Sequence, residues 1–218
     1  MRYKAVLFDL DGTINDSGPG VMNSVQYAIR KLGLPDLSPE TLRRFIGPSL
    51  MYSFQNYGGL SEEDAAKAVV FYRECYSAGE LFNFTVYDGI KELFDKIKAA
   101  GLKMAVATTK PDHMAFKVLE HEGFLDLFDH VAAPSPDDSS NDKSVLINRA
   151  LEAMSLTKDD VVMIGDTRFD IKGAVKAGCD SIGITYGYGS REELLKNGAV
   201  YITDTPEGAW KIISGAEN

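Results

Sequence analysis

Lys4-Ala5-Val6-Leu7-Phe8-Asp9-Leu10-Asp11-Gly12-Thr13-Ile14-Asn15-Asp16-Ser17 decides how the chain is read. Its apolar run, Ala5 to Phe8, stops at an aspartate. Short runs rich in branched and aromatic residues predict strands buried on both faces. Asp9 then ends such a strand, where open α/β sheets place ligands. Asp11 follows, and Gly12 and Thr13 turn the chain away. Two unit charges at about 4 Å repel by about 4 kcal/mol at an effective dielectric near 20. A cation or a proton must relieve that. One carboxylate suits a nucleophile and the other an acid/base. The plainer reading is a pair of solvated loop acids, and two acids alone leave it ahead.

Working outward, no strand pattern occurs between Asp16 and Leu81. Val21, Val25, Ala28, Ile29 and Leu32 recur at helical spacing. Ser38-Pro39-Glu40 opens a short helix, and Ser61 followed by Glu62-Glu63-Asp64 has the character of an N-cap with an acidic first turn. From Tyr87 onward helix and strand alternate. Strands are expected at Lys103 to Ala107, Asp129 to Ala132, Val161 to Ile164, Ser181 to Thr185 and Val200 to Ile202. Helices are expected at Ile90 to Ala100, around Ala115 to Leu119, at Lys143 to Met154 and at Ile171 to Ala177. Pro134 to Ser140 reads as a loop. Repeated β-α units imply a parallel sheet with right-handed crossovers. The expected fold class is α/β, a doubly wound, Rossmann-like core with an inserted all-helical domain. The core takes residues 1–15 and 82–218, and the insertion takes residues 16–81.

The 218 residues, 44% hydrophobic and 25% charged, are ordinary for a globular protein. A net charge of −9 argues against a nucleic-acid polymer as partner. Any phosphate site must therefore be locally positive. Cys75 and Cys179 lack metal-like spacing and are expected to stay reduced. No apolar stretch approaches the ~20 residues of a membrane span. No signal-peptide pattern opens the chain, so the expected setting is cytoplasmic.

Two later strand ends carry chemistry. Lys103 to Ala107 runs into Thr108-Thr109-Lys110-Pro111, where hydroxyls beside a helix N-terminus suit phosphate oxygens. The competing reading is that Thr109 or Asp112 caps the next helix. Val161-Val162-Met163-Ile164-Gly165-Asp166-Thr167-Arg168-Phe169-Asp170 again ends an apolar strand in acids. Asp166 and Asp170 can converge on one ion, and Mg²⁺ takes oxygen ligands from one or two carboxylates, phosphate and water. Here the competing reading makes Asp170 a helix N-cap.

Taken in order, these strings resemble the motifs of the haloacid dehalogenase-like hydrolase superfamily. Asp9-Leu10-Asp11-Gly12-Thr13 is similar to its first motif, Asp-x-Asp-Gly-Thr. Thr108 matches the Ser or Thr of the second motif, although many relatives carry Asn where Thr109 stands. Lys143 matches the third-motif lysine, with Lys110 as its rival. Gly165 to Gly178 matches Gly-Asp-x-x-x-Asp followed by Ile-x-Gly-Ala-x-x-Ala-Gly, and Gly187-Tyr188-Gly189-Ser190 continues the likeness. Asp16-Ser17, Ile46-Gly47-Pro48 and Thr13 resemble the phosphoglycolate phosphatase-like group.

The resemblance implies a Mg²⁺-dependent phosphatase with a helical cap. Asp9 would form an aspartyl-phosphate and Asp11 would act as acid/base. Mg²⁺ would sit on the Asp9 carboxylate, the Asp11 backbone carbonyl and Asp166, with Asp170 close by. Thr108 and Lys143 would hold the phosphoryl group, with Thr109 and Lys110 as further phosphate contacts. The expected substrate is a small phosphorylated metabolite, phosphoglycolate ahead of a nucleoside 5′-monophosphate; Arg44 is a candidate to pair a second anionic group, with a solvated surface arginine as the plainer reading ahead of it. A sugar phosphomutase and a non-catalytic phosphate-binding regulatory module are the alternatives. The expected protein is a monomer or homodimer with no membrane partner.

Overall fold

Ala5–Phe8, four apolar residues without exposed surface, form β1, the strand around which the sheet is built. The computed structural model describes residues 1–135 and 142–216. Positions 136–140 of the expected Pro134 to Ser140 loop lie outside them. After β1 the chain passes through β2 (Asn15–Asp16) into four helices: α1 (Gly18–Lys31), α2 (Pro39–Arg43), α3 (Leu50–Asn56) and α4 (Glu62–Ala78). It returns through β3 (Thr85–Val86), which pairs with β2. Then α5 (Ile90–Ala99), β4 (Lys103–Ala107), α6 (Asp112–His121), β5 (His130–Ala132) and α7 (Lys143–Met154) follow. The last elements are β6 (Val161–Gly165), α8 (Arg168–Ala177), β7 (Asp180–Ile184), α9 (Arg191–Lys196), β8 (Tyr201–Thr203) and α10 (Pro206–Ser214).

The chain divides into two units. One comprises Met1–Asn15 and Val86–Asn218, the other Asp16–Thr85. The first holds a six-stranded parallel sheet of order β5-β4-β1-β6-β7-β8. From β1 the chain steps outward to β4 and β5, then crosses back to β6, β7 and β8. The strand order thus reverses between β1 and β6. That reversal opens a crevice at the carboxyl ends, where ligands bind in such sheets. Phe8 is level with Val106 of β4 and Ile164 of β6, so the three strands end together.

Alternation along β1 divides the core. Ala5 and Leu7 face a cluster with Leu146, Ile147, Ala150 and Ala174 of α7 and α8. Phe8 turns the other way, edge-on to Phe94 of α5 at 5.2 Å between ring centroids. Helices therefore cover both faces, which explains an uninterrupted apolar strand.

The unit Asp16–Thr85 is helical apart from the crossing strands. Ser61 caps α4 by accepting from the Asp64 N–H, as the acidic first turn predicts. Its interior contains Val25, Ala28, Ile29, Phe45, Phe54, Tyr72 and Tyr76. Of the aromatic rings in this unit, Phe54 and Tyr72 are buried in the core, Tyr52 is exposed, and Phe71 and Tyr57 are half-buried.

The structure adds α3, α9 and α10 to the helices read from sequence. The first two are short and bury few residues, Ser53 and Phe54 in α3 and Leu194 in α9, so neither shows a periodicity. In α10 the sign was local: Thr205 caps the helix and Pro206 occupies its first turn. Helix α8 begins at Arg168, ahead of Ile171, because a capping box starts it. Among the described residues no helix is long and apolar enough to cross a membrane.

Candidate active site

The end of β1 continues into Asp9, whose N–H donates to the Ile164 carbonyl at 2.9 Å. This places its carboxylate beside the end of β6. The Leu10 N–H donates to Asp9 Oδ1 at 2.8 Å. Asp166 follows β6 and is fully buried. It accepts from the Tyr188 N–H at 2.8 Å and from the Thr13 hydroxyl at 3.3 Å. Asp170, one turn into α8, is also fully buried. Its Oδ2 accepts from the Thr167 N–H at 3.0 Å and the Thr167 hydroxyl at 2.7 Å. Thr167 is thus the N-cap and Asp170 the third helical residue of a capping box, which corrects the N-cap reading of Asp170.

Lys143 reaches this group from the first turn of α7. Its Nζ lies 2.8 Å from Asp9 Oδ1 and 2.8 Å from Asp170 Oδ1, and donates to the Ala107 carbonyl at 3.0 Å. Gly173 of α8 makes room for its stem. A Cβ there would stand 2.6 Å from Lys143 Cβ and 2.7 Å from its Cγ. At Gly12, φ is +87° and an added Cβ would stand 2.3 Å from Asp166 Oδ2. The turn after β1 therefore needs glycine for both conformation and space.

Oxygen atoms of Asp9, Asp166 and Asp170 lie within 4.8 Å of one another. Burial pushes the Asp9 carboxyl up to about 7; Asp170 and Asp11 add to this and Lys143 opposes it. Burial, with the charges of Asp170 and Asp9, likewise holds Asp166 well above the usual carboxylate range. Burial works against the Lys143 ammonium, yet Asp170 and Asp9 outweigh it and raise its pKa. The buried Oδ1 of Asp170 receives no hydrogen bond of good geometry. Crowded, buried oxygen donors with unmatched negative charge fit a hard divalent cation such as Mg²⁺.

Asp11 is handled separately. Lys110 Nζ donates to its Oδ1 at 2.9 Å and its Oδ2 at 3.0 Å. Thr108, buried at the end of β4, accepts from the Lys110 N–H at 3.1 Å through its hydroxyl oxygen. Thr109 is half-buried beside it. Pro111 is the N-cap of α6 and makes no side-chain cap bond, so neither Thr109 nor Asp112 serves as the cap. Arg44 belongs to the other unit, exposed, with its guanidinium carbon 4.0 Å from the Tyr57 ring centroid.

Sequence reasoning assigned no role to the loop Tyr186 to Gly189, although the likeness at Gly187-Tyr188-Gly189 marked it. Besides the Tyr188 N–H on Asp166, the half-buried Tyr186 donates through its hydroxyl to the Thr13 carbonyl at 3.1 Å. The loop thus ties β7 to both acidic turns.

Fold and site together define a phosphoric monoester hydrolase. The chain belongs to the haloacid dehalogenase-like hydrolases, whose family model matches residues 6–184. It is 37% identical over 194 residues to a 5′-nucleotidase of Pseudomonas aeruginosa, covering 89% of this chain and 88% of the relative. It is 30% identical over 210 residues to a phosphoglycolate phosphatase of Vibrio parahaemolyticus, covering 93% and 92%. A crystal structure described as a predicted phosphatase from Clostridium acetobutylicum superposes with a TM-score of 0.92 and 39% identity, covering 99% of this chain and 100% of that one.

Proposed function

We propose that the protein hydrolyses a small phosphomonoester through an aspartyl-phosphate on Asp9. The observation that carries this reading is Asp9 at the sheet's reversal point, ion-paired with Lys143 and grouped with Asp166 and Asp170. The Leu10 N–H and Lys143 both hold Asp9 Oδ1, which fixes the position of that oxygen. An Asp9 oxygen attacks phosphorus, the ester P–O bond breaks, and Asp11 gives its proton to the departing alkoxide. Asp11, now a carboxylate, takes a proton from water. That water attacks phosphorus, and the bond between phosphorus and the Asp9 oxygen breaks to release phosphate. Lys143 and the Thr108 hydroxyl hold the transferring phosphoryl oxygens.

Asp9, Asp166 and Asp170, with the Asp11 backbone carbonyl, would hold Mg²⁺. When bound, the ion supplies positive charge that keeps these carboxylates ionised beside an anionic substrate. The substrate classes follow the relatives: a nucleoside 5′-monophosphate is favoured by the Pseudomonas aeruginosa 5′-nucleotidase, and phosphoglycolate by the Vibrio parahaemolyticus enzyme. A panel of phosphomonoesters assayed with Mg²⁺ ranks them by kcat/KM. Labelled phosphate should be trapped on Asp9 and not in Asp9→Asn; label on another residue would refute the mechanism. Product analysis with a hexose phosphate distinguishes hydrolysis from phosphoryl return to sugar.

A further inference from the structure

We infer that Lys110 is a positioning residue for Asp11, not a phosphate ligand; this rests on the acid/base role proposed for Asp11. The Lys110 ammonium reaches both Asp11 oxygens, at 2.9 Å and 3.0 Å. Contact at two oxygens fixes where the carboxylate sits and which way its plane faces. The pair is sheltered, with side-chain exposures of 5% for Lys110 and 23% for Asp11. Such a pair resists screening by salt and water better than a surface pair does.

The backbone around Lys110 is itself held. Its N–H donates to the Thr108 hydroxyl oxygen at 3.1 Å, and the Asp112 N–H donates to the Pro134 carbonyl at 3.0 Å. On the other side, the Gly12 N–H donates to the Asn15 carbonyl at 2.7 Å and the Ile14 N–H to the Leu10 carbonyl at 2.9 Å. β1 and β4 are adjacent and in register at Phe8 and Val106, so these two turns emerge side by side. Lys143 is committed elsewhere, to Asp9 and Asp170. The two lysines divide the work. Lys143 serves the nucleophile, and Lys110 serves the acid/base.

An acid/base must meet the leaving oxygen in a narrow range of position, and a displaced one fails substrates whose leaving groups need a proton. Loss of Lys110 should therefore show as a leaving-group effect on kcat. Loss of a phosphate ligand would instead fall equally on every substrate, whatever its leaving group, in kcat or in KM.

The test uses Lys110→Met, Lys110→Gln and Lys110→Arg with Mg²⁺, on p-nitrophenyl phosphate and on an alkyl phosphomonoester. Lys110→Met should lower kcat on the alkyl ester by about 10- to 100-fold with little change in KM, and on the aryl ester much less. Lys110→Arg, which keeps the charge, should recover part of the loss. In an Asp11→Asn background, Lys110→Met should add little. Circular dichroism checks folding, and if the Met variant does not fold, the Gln variant is judged by the same split. A raised KM with kcat retained would overturn the inference. So would equal losses on both esters, or a Lys110→Met effect undiminished in Asp11→Asn. If Asp11→Asn shows leaving-group dependence and the Lys110 variants do not, this inference alone fails. If Asp11→Asn shows none, the proposed mechanism fails with it.

Discussion

Gly173→Ala should cripple activity while barely weakening the fold. Its new Cβ would stand 2.6 Å from Lys143 Cβ and 2.7 Å from Cγ, atoms next to the backbone that cannot swing aside. Relief to a normal contact of about 3.6 Å requires a shift of about 1 Å. Lys143 Nζ now lies 2.8 Å from both Asp9 and Asp170. A 1 Å retreat would forfeit about 1.5 kcal/mol of attraction to each carboxylate at an effective dielectric near 20. Displacement of a positioned group by about 1 Å can cost 100-fold in rate. We expect kcat to fall by about 10- to 100-fold on those grounds. Stability moves less. Overpacking costs about 1–3 kcal/mol, and replacing glycine in a helix interior returns about 1 kcal/mol. Steady-state kinetics on the preferred phosphomonoester, with a thermal melt on the same preparation, reads both quantities. Unchanged kcat with a raised melting temperature would mean that Gly173 is an ordinary helix glycine and the clearance argument is wrong.

Lys143→Ala should cost about 100-fold or more in kcat and exceed the loss from Lys110→Ala, and the reverse ranking would refute the assignment of roles. Chelation should abolish phosphatase activity and added Mg²⁺ should restore it; full turnover by metal-free protein would contradict the carboxylate grouping as a cation site. Asp142, the α7 N-cap, bonds Lys176 and Ser144, and these lower its pKa from 3.8 to about 2. A lowered pKa contributes stability above 3.8 that is lost as pH falls through about 2, so the melting-temperature gap between wild type and Asp142→Asn should shrink over that window. A gap constant from pH 7 to pH 2 would remove Asp142 from the acid sensitivity of the fold.

The central strand, the alternating β-α units and the acids at two strand ends were legible because each is a short-range pattern. An apolar run that ends in Asp9 or Asp166 must be buried and must stop, whatever surrounds it. Motif order along the chain then carried Lys143 and Thr108. The division of partners was not legible. Lys110 and Lys143 both lie near a helix start, and only strand order and register put one against Asp11 and the other between Asp9 and Asp170. The purpose of Gly173 was equally hidden, because it serves a lysine 30 positions earlier on a different helix. Tyr188 needed the fold too, since its contribution to Asp166 is a backbone N–H, which every residue but proline carries. Local sequence determines which groups are available and where a strand or helix can end. Which of those groups meet depends on packing between distant elements, and that is a property of the tertiary structure alone.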